Sequence, residues 1–149
     1  MSDSDLINLY SGRILELAAS IPLTERLADP DATARRRSPL CGSNVTVDVK
    51  MEGGRVSAFG QDVKACALGQ AAAAVVGGCI IGRTRAEVER ARDQLRAMLK
   101  EGAPPPEPPF DGLEVLVPAR EFKNRHASIM LCLEATAEAM EEAEKAACA

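Results

Sequence analysis

The chain has 149 residues, a formal net charge of −4, 3% aromatic residues and no tryptophan. That length suits one domain, residues 1–149, with a core over about 5–140 and an acidic, alanine-rich tail over 141–149. The negative balance argues against nucleic acid as the main partner, and so few aromatics leave Ala, Val, Leu, Ile and Met to build the core.

In chain order, Met1-Ser2-Asp3-Ser4-Asp5 lacks the basic-then-apolar layout of a secretory signal. Leu6, Leu9, Ile14, Leu17 and Ala18 fall mostly at helical spacing, which predicts a helix over residues 6–21 stopped by Pro22. Residues 22–38 carry little periodicity and read as a loop. The run Arg35-Arg36-Arg37 within them is either a solvated segment, the plainer reading, or a dock for an acidic partner. Val45, Val47, Val49 and Met51 alternate with Thr46, Asp48 and Lys50, the pattern of a half-buried strand. Gly53-Gly54 marks a hairpin turn, and the chain returns as a strand over 55–64. The alternation of this second strand changes phase near Phe59-Gly60, which predicts a bulge at the glycine.

A small-residue helix starts near Cys66 and ends by Gly77-Gly78 or Gly82. The apolar run 71–82 is too short and glycine-rich to span a bilayer. Thr84-Arg85-Ala86-Glu87 is a capping box opening a helix with Val88, Ala91, Leu95, Met98 and Leu99 on its apolar stripe, and Gly102 closes it. Residues 104–109 form an extended proline-rich spacer. A last long helix is expected to begin between Pro118 and Phe122 and to fade after Met140. Two or three antiparallel strands with about four to five helices on one face make a small α+β fold. Without a secretory signal or an apolar span, the expected location is cytoplasmic, with no membrane association. In that reducing compartment the five cysteines are free, metal-bound or reactive rather than paired as disulfides.

Cys41, Cys66 and His126 are the residues that carry chemistry. Cys66 sits where a strand ends and a helix starts, where unpaired N–H groups stabilise a thiolate, both nucleophile and metal ligand. Its bland alternative is a small buried hydrophobe. Cys41 lies in a loop beside Gly42, which permits close approach of a ligand; alone, the pair is weak evidence. His126 shares a helix face with Met130, Leu133, Ala137 and Met140, so it points inward, as a packed core histidine or as a ligand. Cys132, six residues on, points about 120° away and about 9 Å along the axis, so it does not share a metal with His126. Cys79 and Cys148 are likewise set aside, and the wide spacing is unlike paired Cys-x-x-Cys zinc knuckles.

At these residues the chain resembles the U-type iron–sulfur scaffold family of IscU, NifU and SufU. The resemblance rests on Pro39-Leu40-Cys41-Gly42, on Phe59-Gly60 through Ala65-Cys66-Ala67, on Gly82-Arg83-Thr84, and on Pro118-Ala119-Arg120 with His126 and Ser128. It spans roughly residues 5–140. The family's Asp after Cys-Gly is Ser43 here, its third Cys after His126 is Ala127, and Glu121-Phe122-Lys123-Asn124 replaces the chaperone-binding segment of IscU. The resemblance implies a scaffold or carrier with Cys41, Cys66 and His126 as ligands of iron or a transient [2Fe–2S] cluster. It implies a cysteine desulfurase and apo iron–sulfur proteins as partners, no turnover chemistry of its own, and a monomer or weak homodimer. Two other readings stay open: a zinc-binding sulfur acceptor taking persulfide on Cys66 or Cys41, and a metal-free partner-binding module. A Cys–His hydrolase or redox enzyme is a poorer fit, because no oxyanion loop or cofactor fingerprint accompanies the pair.

Overall fold

The computed structural model describes residues 11–39 and 42–148. Their elements are α1 (Gly12–Ala19), β1 (Ala32–Arg37), β2 (Asn44–Glu52), β3 (Arg55–Lys64), α2 (Ala67–Cys79), α3 (Arg85–Glu101), two 3-10 segments η1 (Phe110–Glu121) and η2 (Lys123–Arg125), and α4 (His126–Cys148). The strands form one antiparallel sheet in the order β1-β2-β3. The expected α+β class holds. Period-two alternation puts Val45, Val47 and Val49 on the inner face, fully buried, where α4 packs across β1 and β2.

Several expectations change. Ser11 caps α1, its hydroxyl accepting from the Ile14 N–H, and its extended backbone begins the helix at Gly12. The described helix therefore starts at Gly12, and the expected part over residues 6–10 lies outside the described residues. The arginine run is not loop but the edge strand β1. Its inner positions are only Ala32, Ala34 and Arg36, so no hydrophobic alternation announces it; pairing with β2 makes it a strand. The phase change in β3 is real, but the register slips between Lys50 and Met51, which face Ala58 and Val56 and leave Ser57 as the extra residue. Gly60 has a different task, described below. The last helix starts later than expected. Pro118 lies inside the 3-10 segment η1, and Phe122, at φ −110° and ψ 71°, turns the chain before α4 opens at His126. At its other end α4 continues past Met140 to Cys148, with Ala143 still buried.

The capping box at Thr84 forms as expected, and Gly102 ends α3 in the left-handed conformation. Arg120 then fastens η1 to that end, its guanidinium donating to the carbonyls of Met98 at 2.7 Å and Ala103 at 2.8 Å. These carbonyls lack helical partners, and a cation suits the negative end of the helix dipole.

The outer sheet face is crossed by residues 22–29, which pass as a strap from the β3 edge toward β1. The Gln61 N–H donates to the Leu23 carbonyl at 2.9 Å. A Cβ on Gly60 would overlap the Glu25 carbonyl and sit 3.2 Å from the Leu27 nitrogen, so the strap lies where a side chain would be. Asp48, fully buried on this face, holds the strap down. Its carboxylate accepts from Arg26 Nε at 2.6 Å and Nη2 at 3.0 Å, from the Leu27 N–H at 3.0 Å and from the Thr33 hydroxyl at 2.6 Å. A buried carboxylate is tolerated when its lone pairs are filled in this way.

Replacing Gly60 by Ala is expected to cost about 1–3 kcal/mol, measured by urea unfolding, with faster amide exchange confined first to residues 23–27. Burial, the largest influence on Asp48, pushes its carboxyl up, but the hydrogen bonds from Arg26, Thr33 and Leu27 and the Arg26 charge outweigh it, leaving the group below its ordinary value. The stabilisation is therefore complete above the unfolded carboxyl value of about 4 and is lost as pH falls through the lowered folded value. Asp48→Asn is expected to remove about 1–3 kcal/mol at neutral pH and to flatten that acid limb in pH-resolved unfolding curves.

Candidate functional site

The site is built where α2 meets the first turn of α4. β3 delivers the chain to Cys66, which is the N-cap of α2 with extended backbone angles. From there a run of small residues lets α2 lie close to its neighbours: Ala71, Ala72 and Ala73 are buried, and two glycines mark the nearest approaches. A Cβ at Gly69 would lie 2.7 Å from the Ser128 hydroxyl and 3.1 Å from the Ser128 carbonyl; at Gly77 it would lie 2.8 Å from the Gln61 side-chain nitrogen. The alanine-rich composition of this helix is thus a packing requirement, and it seats Ser128 beside Cys66.

Cys66 Sγ lies 3.5 Å from Ser128 Oγ; with the thiol protonated Ser128 donates to Ser43 Oγ at 3.2 Å, and with the thiolate its single proton turns to the sulfur. Ser43 and Ser128 are both buried, and Cys66 is half-buried. Burial, the largest single influence, pushes the Cys66 thiol up. Hydrogen bonds from the Ser128 hydroxyl, from the N–H groups of Gly69 and Leu68, and from Arg125 more than offset it, so the thiol ends below its ordinary value. The N–H groups are the free donors of the first turn of α2, which favour negative charge.

Cys79 and Cys132 behave in the opposite sense. Burial pushes Cys79 up to about 11 and Cys132 up to about 12. Cys132 Sγ donates to Gln61 Oε1 at 3.3 Å inside the core.

His126 is the first residue of α4 and is buried. Its Nε2 lies 2.9 Å from the Ala119 carbonyl oxygen. A carbonyl oxygen only accepts, so Nε2 carries the proton and Nδ1 of the neutral ring keeps its lone pair. This is the arrangement in which a second-shell carbonyl fixes the tautomer of a histidine ligand. His126 therefore enters the same helix turn as Ser128 with its Nε2 committed to the Ala119 carbonyl.

Cys41 lies outside the described residues. The loop around it is anchored by the Ser38 N–H donating to the Ser43 carbonyl at 2.8 Å and the Gly42 N–H donating to the Ser38 carbonyl at 3.1 Å. Among the described residues no three of His, Cys, Asp and Glu are grouped to hold a metal ion. The described donors Cys66 and His126 are a thiolate former and an imidazole, the set that suits zinc or iron, and a complete site needs at least one more. Of the nearby oxygen-bearing side chains, Gln70 is held by its Nε2 donating to the Ala65 carbonyl at 2.8 Å, and Asp62 lies 4.0 Å from Lys64 Nζ on the outer sheet face. Ser128 and Arg125, by contrast, act on Cys66 without having been singled out as ligands or partners. No local pattern marks them, because the Cys66–Ser128 contact spans 62 positions.

No protein-family model and no curated protein sequence shows significant similarity to the chain. Solved structures do. The crystal structure of a nitrogen-fixing NifU-like protein (N-terminal) from Brucella abortus matches with a TM-score of 0.92 and 43% identity, over 95% of this chain and 98% of that one. A candidate iron–sulfur cluster assembly scaffold protein for the SUF system, from thermophilic Fervidobacterium islandicum AW-1, matches with a TM-score of 0.81 and 18% identity, over 90% of this chain and 98% of that one. At that identity the second match speaks to the fold alone.

At neutral pH, iodoacetamide is expected to label Cys66 well before Cys79 and Cys132, read by peptide mass spectrometry. Gly69→Ala or Ser128→Ala should slow Cys66 labelling by about threefold to tenfold by returning the thiol toward its ordinary value. Equal labelling in the variants would show that Ser128 does not support the thiolate.

Proposed function

This chain belongs to the NifU-like family, and on that premise we propose that it is an iron–sulfur cluster assembly scaffold that takes iron or a labile [2Fe–2S] cluster as cargo at Cys41, Cys66 and His126. The observation that carries this reading is Cys66 at the N-terminus of α2, with a lowered thiol and the Ser128 hydroxyl beside it. A thiolate binds iron directly, whereas a protonated thiol must first lose its proton. The Nδ1 lone pair of His126 supplies a second donor, and Cys41 a third.

Against the U-type pattern, this chain carries Ser43 in place of the Asp and Ala127 in place of the third Cys. Three protein donors leave one coordination position for an outside thiol or a second copy, and such ligation favours release over storage. A cysteine desulfurase is the sulfur donor and apo iron–sulfur proteins are the recipients in this reading. The same donor set also suits a bound zinc with an open position. In that second reading the lowered Cys66 thiol accepts persulfide sulfur and passes it on.

Anaerobic reconstitution with ferrous iron, sulfide and a cysteine desulfurase separates the two. The scaffold reading expects visible charge-transfer absorption and stoichiometric acid-labile sulfide, both lost in Cys66→Ala and Cys41→Ala and weakened in His126→Ala. Tightly bound zinc without a chromophore favours the sulfur-acceptor reading. Protein that takes up neither metal, and is indifferent to all three substitutions, refutes both.

A further inference from the structure

Strand β1 is an edge: among the described residues it pairs with β2 alone. Its three arginines divide between the faces. Arg36 turns inward with Ala34, and its Nη1 lies 4.0 Å from Glu138 of α4. Arg35 and Arg37 stand on the outer face with Thr33, opposite the neutral Thr46 and Asn44 of β2. Both are exposed, and neither enters an ion pair among the described residues. Lys64, across Asn44 of β2 from Arg37 on the same face, is also exposed, and Asp62 beside it is already paired with it.

This basic strip is unlike the rest of the chain. The net charge is −4, and the helix layer behind the sheet is acidic, α4 carrying five glutamates against Lys145. The strap covers the other half of the outer face, over Asp48 and Gly60, and stops short of Arg35 and Arg37. Charged residues on an edge strand keep two copies from pairing, since arginine would meet arginine. The same row is complementary to a strand of opposite charge. Arg35 and Arg37 are two residues apart, about 7 Å along an extended chain, the repeat at which alternate side chains of an added strand reach the same face. A guanidinium takes a carboxylate through two parallel N–H bonds.

We propose that the free edge of β1 receives an acidic, extended segment of a partner protein as a fourth strand, with carboxylates at alternate positions on Arg35 and Arg37. The strand edge supplies affinity through main-chain hydrogen bonds and the arginines supply selection. Arg37 leads directly to Ser38, which is bonded to Ser43, the residue that accepts from Ser128. A segment added here ends beside the site. The docking does not depend on the scaffold reading, and its test uses no metal, sulfide or desulfurase, so the two fail separately.

The test is fluorescence polarisation with a dye-labelled peptide of alternating glutamate and threonine, against one of alternating lysine and threonine, with amide exchange of the protein alone and bound. The acidic peptide is expected to bind and the basic one not. Raising salt from about 50 to about 300 mM should weaken binding, and Arg35→Gln/Arg37→Gln should weaken it at least about tenfold. Amides within residues 32–37 should gain protection in the unsubstituted protein, an outcome that does not depend on the variant folding. Binding without that protection, binding unchanged in the double variant, or tighter binding of a single-stranded oligonucleotide than of the peptide would overturn the proposal.

Discussion

The side chain of Gln61 is the join on which the site depends. It is fully buried, and its amide is saturated: Nε2 donates to the Pro22 and Ala73 carbonyls, each at 3.1 Å, and Oε1 accepts from Cys132 at 3.3 Å. One carboxamide on β3 thus ties the start of the strap, the middle of α2 and the second turn of α4. A buried amide left partly unpaired would be costly, so these elements are held in one relative position. Gly77 leaves room for that amide, and Gly69, two turns earlier on the same helix, leaves room for Ser128. The contact between Cys66 and Ser128 follows from this geometry.

The cysteines show how position decides reactivity. Cys66 and Cys132 are chemically identical and lie on adjoining helices. Cys66 meets helix N–H groups and a hydroxyl at a half-buried helix start, and its anion is supported. Cys132 is enclosed by the core, and its anion is opposed by burial. The core cysteine serves as a weak donor to Gln61, while the capping cysteine stands half-buried at the helix start.

The sheet divides the work between its faces. The inner face is aliphatic and carries α4, which is buried on nearly every side and presents His126 and Ser128 at its N-terminus. Among the described residues the outer face carries no apolar layer: a polar strap fixed to Asp48 closes one half, and none of them covers the other, where Arg35 and Arg37 stand. A small sheet can have one wet face without loss of its core, which frees that face for contacts with other molecules.

Much of this was legible in the residues. Valine alternation marked β2, the capping box placed the start of α3, and the strand-to-helix junction put Cys66 at the N-cap of α2. Order and spacing of Cys41, Cys66 and His126 carried the family resemblance that the Brucella abortus match supports. Local patterns report what neighbouring residues do to each other, through periodicity, capping and turn geometry. They could not show that the arginine run is a strand, since its inner positions are alanines and an arginine and only pairing with β2 makes it one. They could not place Gly60 under the strap, assign Gln61 to three partners, or bring Ser128 to Cys66. Those contacts join positions far apart in sequence, and each needs a close approach or a buried polar bond that exists only when the whole core has formed. The sequence by itself determined which atoms can do chemistry; the tertiary structure decided whose anion is favoured or opposed and which groups are exposed and adjacent, because burial and hydrogen bonding are properties of the packed chain.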